Sequence, residues 1–224
     1  MTFSVRLGLF TVTSGTVWTG DPCYILGADS SHGPKDRAGL DTALAPLTGT
    51  DPALSLEAFG TGAGIALRTT NGIAAVWGEP HAGNGRGFSQ VEVRLPGNRI
   101  PTVTGKRIGN AGVDSGLIWF GDPSLTMGID AAHTPQGWGD FCRLLWNTET
   151  NSHDSDGYSS PLGPEAGVVT QTLYGDGNYP ITADFDDEGF VTRLAITFEN
   201  PDLDLDRWDE DEDEDEDEDD EVAT

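Results

Sequence analysis

The feature that most constrains this chain is an internal duplication. Residues 6–22, RLGLFTVTSGTVWTGDP, align without a gap on residues 107–123, RIGNAGVDSGLIWFGDP, with nine identities in 17 positions, where unrelated sequence gives roughly one. The identical pairs are Arg6 and Arg107, Gly8 and Gly109, Val12 and Val113, Ser14 and Ser115, Gly15 and Gly116, and Trp18 and Trp119, followed by Gly20-Asp21-Pro22 and Gly121-Asp122-Pro123. A unit of about a hundred residues that recurs has to pack against its own copy. The expectation is therefore one body made of a first repeat over 1–100 and a second over 101–201, related by a pseudo-twofold axis.

The rest of each repeat reads as strand. GIALRTTNGIAAV at 64–76 and GVVTQTLYGDGNYPITADF at 167–185 are each a β-rich run, a glycine turn and a second β-rich run, which predicts a hairpin in each repeat. Val91, Val93 and Leu95 alternate with polar residues, as Leu194, Ile196 and Phe198 do, the period of a half-buried strand. Trp138, Phe141, Leu144 and Leu145 fall at helical spacing, and Leu40, Leu44 and Leu47 nearly repeat it, so one short helix is expected per repeat. The predicted class is α+β, β-rich and mainly antiparallel.

Charge divides the chain differently. Of the net charge of −26, a large part belongs to the end, where Asp209 to Glu221 is an unbroken acidic run. Like charges that repel and have no apolar residues to bury keep a segment extended and solvated, so 202–224 is expected to be a disordered acidic tail. Such a tail favours solubility or engages a basic protein, and PDLDLDRW at 201–208 alternates acid with Leu and Trp as docking segments do. The acidic balance argues against gripping nucleic-acid phosphates or an anionic membrane. With no apolar run of membrane-spanning or signal-peptide length, a cytoplasmic location is expected. Cys23 and Cys142 are too few and too far apart for a redox pair or zinc cluster, and neither a metal nor a cofactor is expected.

Val113-Asp114-Ser115-Gly116 followed by Gly121-Asp122-Pro123, the form Gly20-Asp21-Pro22-Cys23-Tyr24, and the ending TLYGDGNYPITADFDDEGFVTRLAITF resemble a group of uncharacterised bacterial and phage proteins. Those carry a DSGxxxxxDPCYL segment and a GYGDGxYPV hairpin near the C-terminus. The resemblance implies a shared fold and no particular activity. Here the pattern is split, since Cys23 and Tyr24 stand where the second repeat has Ser124 and Leu125.

Several motifs invite chemistry. Asp114-Ser115-Gly116 matches the active-site tripeptide of aspartic proteases, but those enzymes need two carboxylates that share a proton, and the equivalent residue in the first repeat is Thr13. Asp21 and Asp122 are the repeat-equivalent pair that a twofold axis would bring together as acid and base, within about 10 Å across a concave surface. Against that, Gly-Asp-Pro also ends a strand by ordinary turn chemistry. Cys23 is a candidate nucleophile. Arg86 in Gly83-Asn84-Gly85-Arg86-Gly87, with His81 nearby, is a candidate for an anionic ligand, although the loop lacks the Lys-Ser/Thr of a P-loop. Asp184 to Gly189 has the front half of an EF-hand loop but Ala195 at its twelfth position, and reads as an acidic hairpin loop.

The functional expectation is thus a non-enzymatic binding or interaction protein of bacterial or phage accessory type. The alternative is a hydrolase or anionic small-ligand protein with its site between the repeats, using Asp21, Asp122, Cys23 and Arg86.

Overall fold

The structure is a computed structural model, and it describes residues 5–26, 42, 45, 53–55, 64–81, 87–126, 138–145, 159–161 and 167–198. Two antiparallel sheets of six strands face each other. One, here the open sheet, holds β1 (Val5–Val12), β5 (Gly72–Pro80), β6 (Phe88–Arg94), β7 (Val103–Val113), β11 (Gly177–Phe185) and β12 (Val191–Thr197) in the order β1-β5-β6-β12-β11-β7. The other, the covered sheet, holds β2 (Thr16–Gly20), β3 (Ala53–Ser55), β4 (Gly64–Arg68), β8 (Leu117–Gly121), β9 (Ser159–Pro161) and β10 (Val168–Gln171) in the order β3-β4-β2-β8-β10-β9. Three short helices are described: α1 (Pro22–Leu26), α2 (Pro123–Thr126) and α3 (Trp138–Leu145).

The burial patterns explain the layers. In β5 the exposed and half-buried residues Ile73, Ala75, Trp77 and Glu79 alternate with buried Ala74, Val76 and Gly78, as a strand wet on one face must. In β2 every residue is buried, so the covered sheet is enclosed on both sides. Its inner face contributes Val17, Ile65, Leu67, Ile118, Phe120 and Val168 to the core shared with Val76, Val91, Val93, Leu194 and Ile196 of the open sheet. Its outer face carries Trp18 and Trp119, both fully buried, with ring centroids 5.5 Å apart and edge to face. Phe141 of α3 lies tilted against Trp119 at 5.1 Å and stacks on Trp138 at 5.5 Å. Aromatic contacts of this kind add to the large apolar area the rings already bury.

The helix expected at 138–145 is present. Leu40, Leu44 and Leu47 lie outside the described residues, as does 202–224. Two further helices, α1 and α2, follow Asp21 and Asp122 directly. Their Pro22 and Pro123 stand at the first helical position, where the missing N–H costs nothing; the sequence reading gave Gly-Asp-Pro only as a strand end.

The hairpins expected over 64–76 and 167–185 are corrected by the topology. β4 and β5 belong to different sheets, as do β10 and β11, so each glycine turn is an arch that carries the chain from one layer to the other. The physical reason lies in burial: Gly64, Ile65, Ala66 and Leu67 are all buried, whereas β5 alternates, and such strands cannot share a sheet that is wet on one side. Consecutive strands pair antiparallel instead as β3–β4, β9–β10 and β5–β6, and as β11–β12. The latter closes through the acidic loop the sequence suggested, with Asp186 Oδ1 accepting the N–H groups of Glu188 at 3.0 Å and Phe190 at 2.8 Å.

Candidate functional site

The turns from β1 to β2 and from β7 to β8 are also arches between sheets. Each needs a residue in the left-handed region, supplied by Gly15 at φ 71 and Gly116 at φ 66. Each also exposes backbone N–H groups that no ladder can satisfy, and a buried donor left unpaired is costly. The two aspartates of the Gly-Asp-Pro segments answer that need, and they do so crosswise.

Asp122 Oδ2 accepts the N–H of Thr13 at 2.5 Å and of Ser14 at 2.8 Å, while its Oδ1 accepts the Ser14 hydroxyl at 2.8 Å. Asp21 Oδ2 accepts the N–H of Asp114 at 2.7 Å and of Ser115 at 2.9 Å, while its Oδ1 accepts the Ser115 hydroxyl at 2.6 Å. Each carboxylate also caps its own helix, through the N–H of Cys23 at 2.8 Å or of Ser124 at 2.8 Å. Both aspartates are fully buried. A carboxylate that accepts several N–H and O–H donors is satisfied by charge-assisted bonds, and its oxygens face turns rather than a cleft.

The register keeps them apart. In the ladder between β2 and β8, Thr19 pairs with Phe120, Trp18 with Gly121 and Gly20 with Trp119. Asp21 and Asp122 therefore lie two residues beyond the central pair in opposite directions, or ~13 Å apart along the strands at about 3.3 Å per residue. The structure does not bring them into one concave site.

Around Asp21 stand residues without a counterpart at Asp122. Cys23 is half-buried, and its thiol is pushed up to about 12 by burial first and then by the Asp21 carboxylate and its hydrogen bond. Nucleophilic cysteines need the opposite, a depressed pKa in electropositive surroundings, so Cys23 is held as the inert thiol. The Tyr24 hydroxyl donates to Asp114, which pushes the phenol up to about 12, chiefly through that hydrogen bond.

His81 closes the β5–β6 loop, its N–H donating to the Gly87 carbonyl at 3.1 Å, and is half-buried. Arg86 lies outside the described residues. Among the described residues no group of three or more His, Cys, Asp or Glu side chains is placed to hold a metal ion, and no helix is long and apolar enough to cross a membrane.

The sequence reading missed two clusters of basic residues. In one, Phe190 is flanked by the guanidinium groups of Arg68 at 4.3 Å and Arg99 at 4.4 Å. Arg99 Nη1 holds Asp186 at 2.5 Å, and Arg68 Nη2 donates to the Glu188 carbonyl at 2.6 Å. Burial raises the Asp186 carboxyl, but the Arg99 and backbone hydrogen bonds outweigh it and hold the group below the usual range. This locks the β11–β12 turn.

The other cluster lies on the outer face of the open sheet. Glu92 receives Arg94 and Arg193, each at 2.6 Å, and Arg94 sits 4.7 Å over the Trp77 ring. Burial pushes the Glu92 carboxyl up, and the two arginines more than reverse this. Reading across the strands, Arg6 pairs with Trp77, Trp77 with Glu92, Glu92 with Ala195, and Thr182 with Arg107. Arginines thus stand at both ends of one row. The signal for it was in the sequence as the identical pair Arg6 and Arg107, which no turn requirement explains. Comparison with known proteins adds no assignment: no family model, curated protein or solved structure matches the chain.

Proposed function

We propose that this protein is a non-enzymatic interaction module of bacterial or phage accessory type, built by tandem duplication and carrying an acidic tail for solubility or for a basic partner protein. The observation that carries the reading is the fate of the reactive groups. Asp21 and Asp122, the strongest candidates for acid–base work, are buried as crosswise clamps on the β7–β8 and β1–β2 arches, and the Cys23 thiol is held protonated. A hydrolase site built on Asp21, Asp122 and Cys23 would have to use groups already committed to the fold.

Duplication about a pseudo-twofold axis is supported by the strand orders. Exchanging β1 with β7, β5 with β11, β6 with β12, β2 with β8, β3 with β9 and β4 with β10 leaves both orders unchanged when they are read from the other end. The Thr19–Phe120 and Glu92–Ala195 pairs are the points about which the central registers balance.

The test is a comparison of partners recovered from the source lysate by the full chain and by a chain whose Asp209 to Glu221 acids are replaced by Asn and Gln. The reading expects a basic protein that only the acidic chain retains. Identical recoveries would remove the partner clause, and a turnover lost on Asp21→Asn in a folded chain would replace the module by an enzyme.

A further inference from the structure

We propose that the outer face of the open sheet, around Arg6, Leu9, Ile73, Trp77 and Arg94, is the docking site for this chain's own segment Asp202–Trp208. The face is unusual for a chain of net charge −26. Arg6, Arg94, Arg107 and Arg193 all fall on it; of the acids among them, Glu92 is held by Arg94 and Arg193, Asp184 lies 3.8 Å from Arg193, and Glu79 stands at the Pro80 end of β5. Beside Arg6 and Arg94 it leaves apolar side chains in water, Leu9 at 41% and Ile73 at 66% exposure. Leu9 lies opposite Ala75 and Ile73 opposite Thr11, on the face that carries Trp77. Exposed apolar groups rimmed by charge mark interaction surfaces.

The segment matches in both respects. Asp202, Asp204 and Asp206 alternate with Leu203, Leu205 and Arg207, and Trp208 follows, so three acids stand against one base. An extended chain points alternate side chains to opposite sides. Laid along β5, such a segment sets its leucines against Leu9 and Ile73 while its aspartates reach the arginines at the rim.

Chain geometry favours the same occupant. β12 is a central strand of the open sheet, and the described chain leaves it at Phe198, whose N–H donates to the Ser89 carbonyl at 2.9 Å. Two strands, β6 and β5, at about 4.8 Å each separate that exit from the patch, and the three residues 199–201 span up to ~10 Å. That exit is level with Glu79, since Thr197 pairs with Gln90 and Gln90 with Glu79, and from there 202–208 covers ~23 Å against ~20 Å from Glu79 to Ile73 at about 3.3 Å per residue. A tethered segment docks at an effective concentration in the millimolar range, which makes a weak contact sufficient. The consequence is regulatory: the tail's acids and the basic face compete for each other, so a basic partner has to lift the segment off.

The experiment is methyl and indole NMR on the full chain at low salt. The proposal expects contacts between the Leu9 and Ile73 methyls and those of Leu203 and Leu205, shifted methyl signals that Leu203→Ser with Leu205→Ser abolishes, and a severalfold loss of docked population with Arg6→Glu but not with Arg107→Glu. Added sodium chloride at about 1 M, where the screening length falls to about 3 Å, should weaken it in the unaltered protein, a check that needs no variant. Leu9 and Ile73 signals that the serine pair leaves in place would overturn it. Polylysine separates this from the partner reading. Binding to the acidic run without movement of the Leu9 and Ile73 signals sinks the docking alone, whereas leucine contacts in a chain that ignores polylysine sink the partner clause alone.

Discussion

The arch at Thr13–Gly15 and the arch at Asp114–Gly116 are the same device in two editions. Both offer two N–H groups and a serine hydroxyl to a buried aspartate from the other half of the chain, and both tie their glycine carbonyl to the next arch, through the N–H of Thr69 at 2.8 Å and of Thr172 at 2.9 Å. What surrounds the aspartates differs. Asp122 also accepts the Thr13 and Ser124 hydroxyls, at 3.1 and 2.8 Å. Asp21 has Cys23 in place of Ser124, and Asp114 in place of Thr13 turns outward to accept the Tyr24 hydroxyl. The shared part is what two sheets joined by a tight arch require. The divergent part is what the arch leaves free to vary.

The largest effect should come from removing the clamps. Asp122→Ala takes this acceptor from backbone donors and three hydroxyls, so a loss of about 3–5 kcal/mol is expected. Asp21→Ala should cost somewhat less, because fewer side chains depend on it. Chemical denaturation of both variants measures the difference, and equal losses would mean that the extra hydroxyls at Asp122 add nothing.

The aromatic layer on the outer face of the same strands should matter about as much. Trp119 touches both Trp18 and Phe141, and Trp119→Ala should cost about 3–5 kcal/mol, toward the top of the range for an aromatic truncation. If Trp18→Ala proves the more damaging in thermal unfolding, the covering of the sheet is centred elsewhere than on α3.

The acid side of the stability curve should be governed by Glu92 and Asp186, both titrating below their ordinary values. A carboxyl depressed in the folded state contributes stability above its unfolded pKa and loses it as pH falls through the folded one. The expected result is a fall in stability as pH drops through and below the ordinary carboxylate range, with a shallower slope in Arg193→Gln and in Arg99→Gln. Unchanged slopes would show that these pairs do not set the acid limit.

The smallest effect should be chemical. Because burial and Asp21 raise the Cys23 thiol from its ordinary 9.0 to about 12, alkylation by iodoacetamide at pH 8.5 should be slow in the folded chain. It should quicken as pH approaches 12 and in Asp21→Asn. The same shift favours the folded state below pH 9 and withdraws that contribution as pH rises toward 12. Fast alkylation at pH 8.5 would make the Asp21 end reactive after all, and the difference between the arches functional.

Much of this was legible in one dimension. Ser14-Gly15 and Ser115-Gly116 marked turns, Trp18 and Trp119 marked core, and the alternation in 88–95 and 191–198 gave half-buried strands, because each rests on local periodicity or on a residue's own conformational preference. The arches were misread because a strand, a glycine turn and a strand look alike whether the second strand pairs with the first or crosses to another layer. Only the all-buried pattern of β4 against the alternation of β5 separates the cases, and Gly64 and Ala66 are too small to announce burial on both faces. The arginine row was hidden for a related reason: Arg6, Trp77, Glu92 and Arg107 meet only across strands.

The sequence by itself determined that a 17-residue segment recurs, that the chain is strand-rich, and that the acids concentrate at the C-terminal end, since repetition, alternation and charge are properties of the chain in order. The tertiary structure alone decided what Asp21 and Asp122 are for. A carboxylate's role depends on which donors surround it, and those donors come from residues some ninety to a hundred and ten positions away, brought within hydrogen-bonding distance only when the two sheets close on one core.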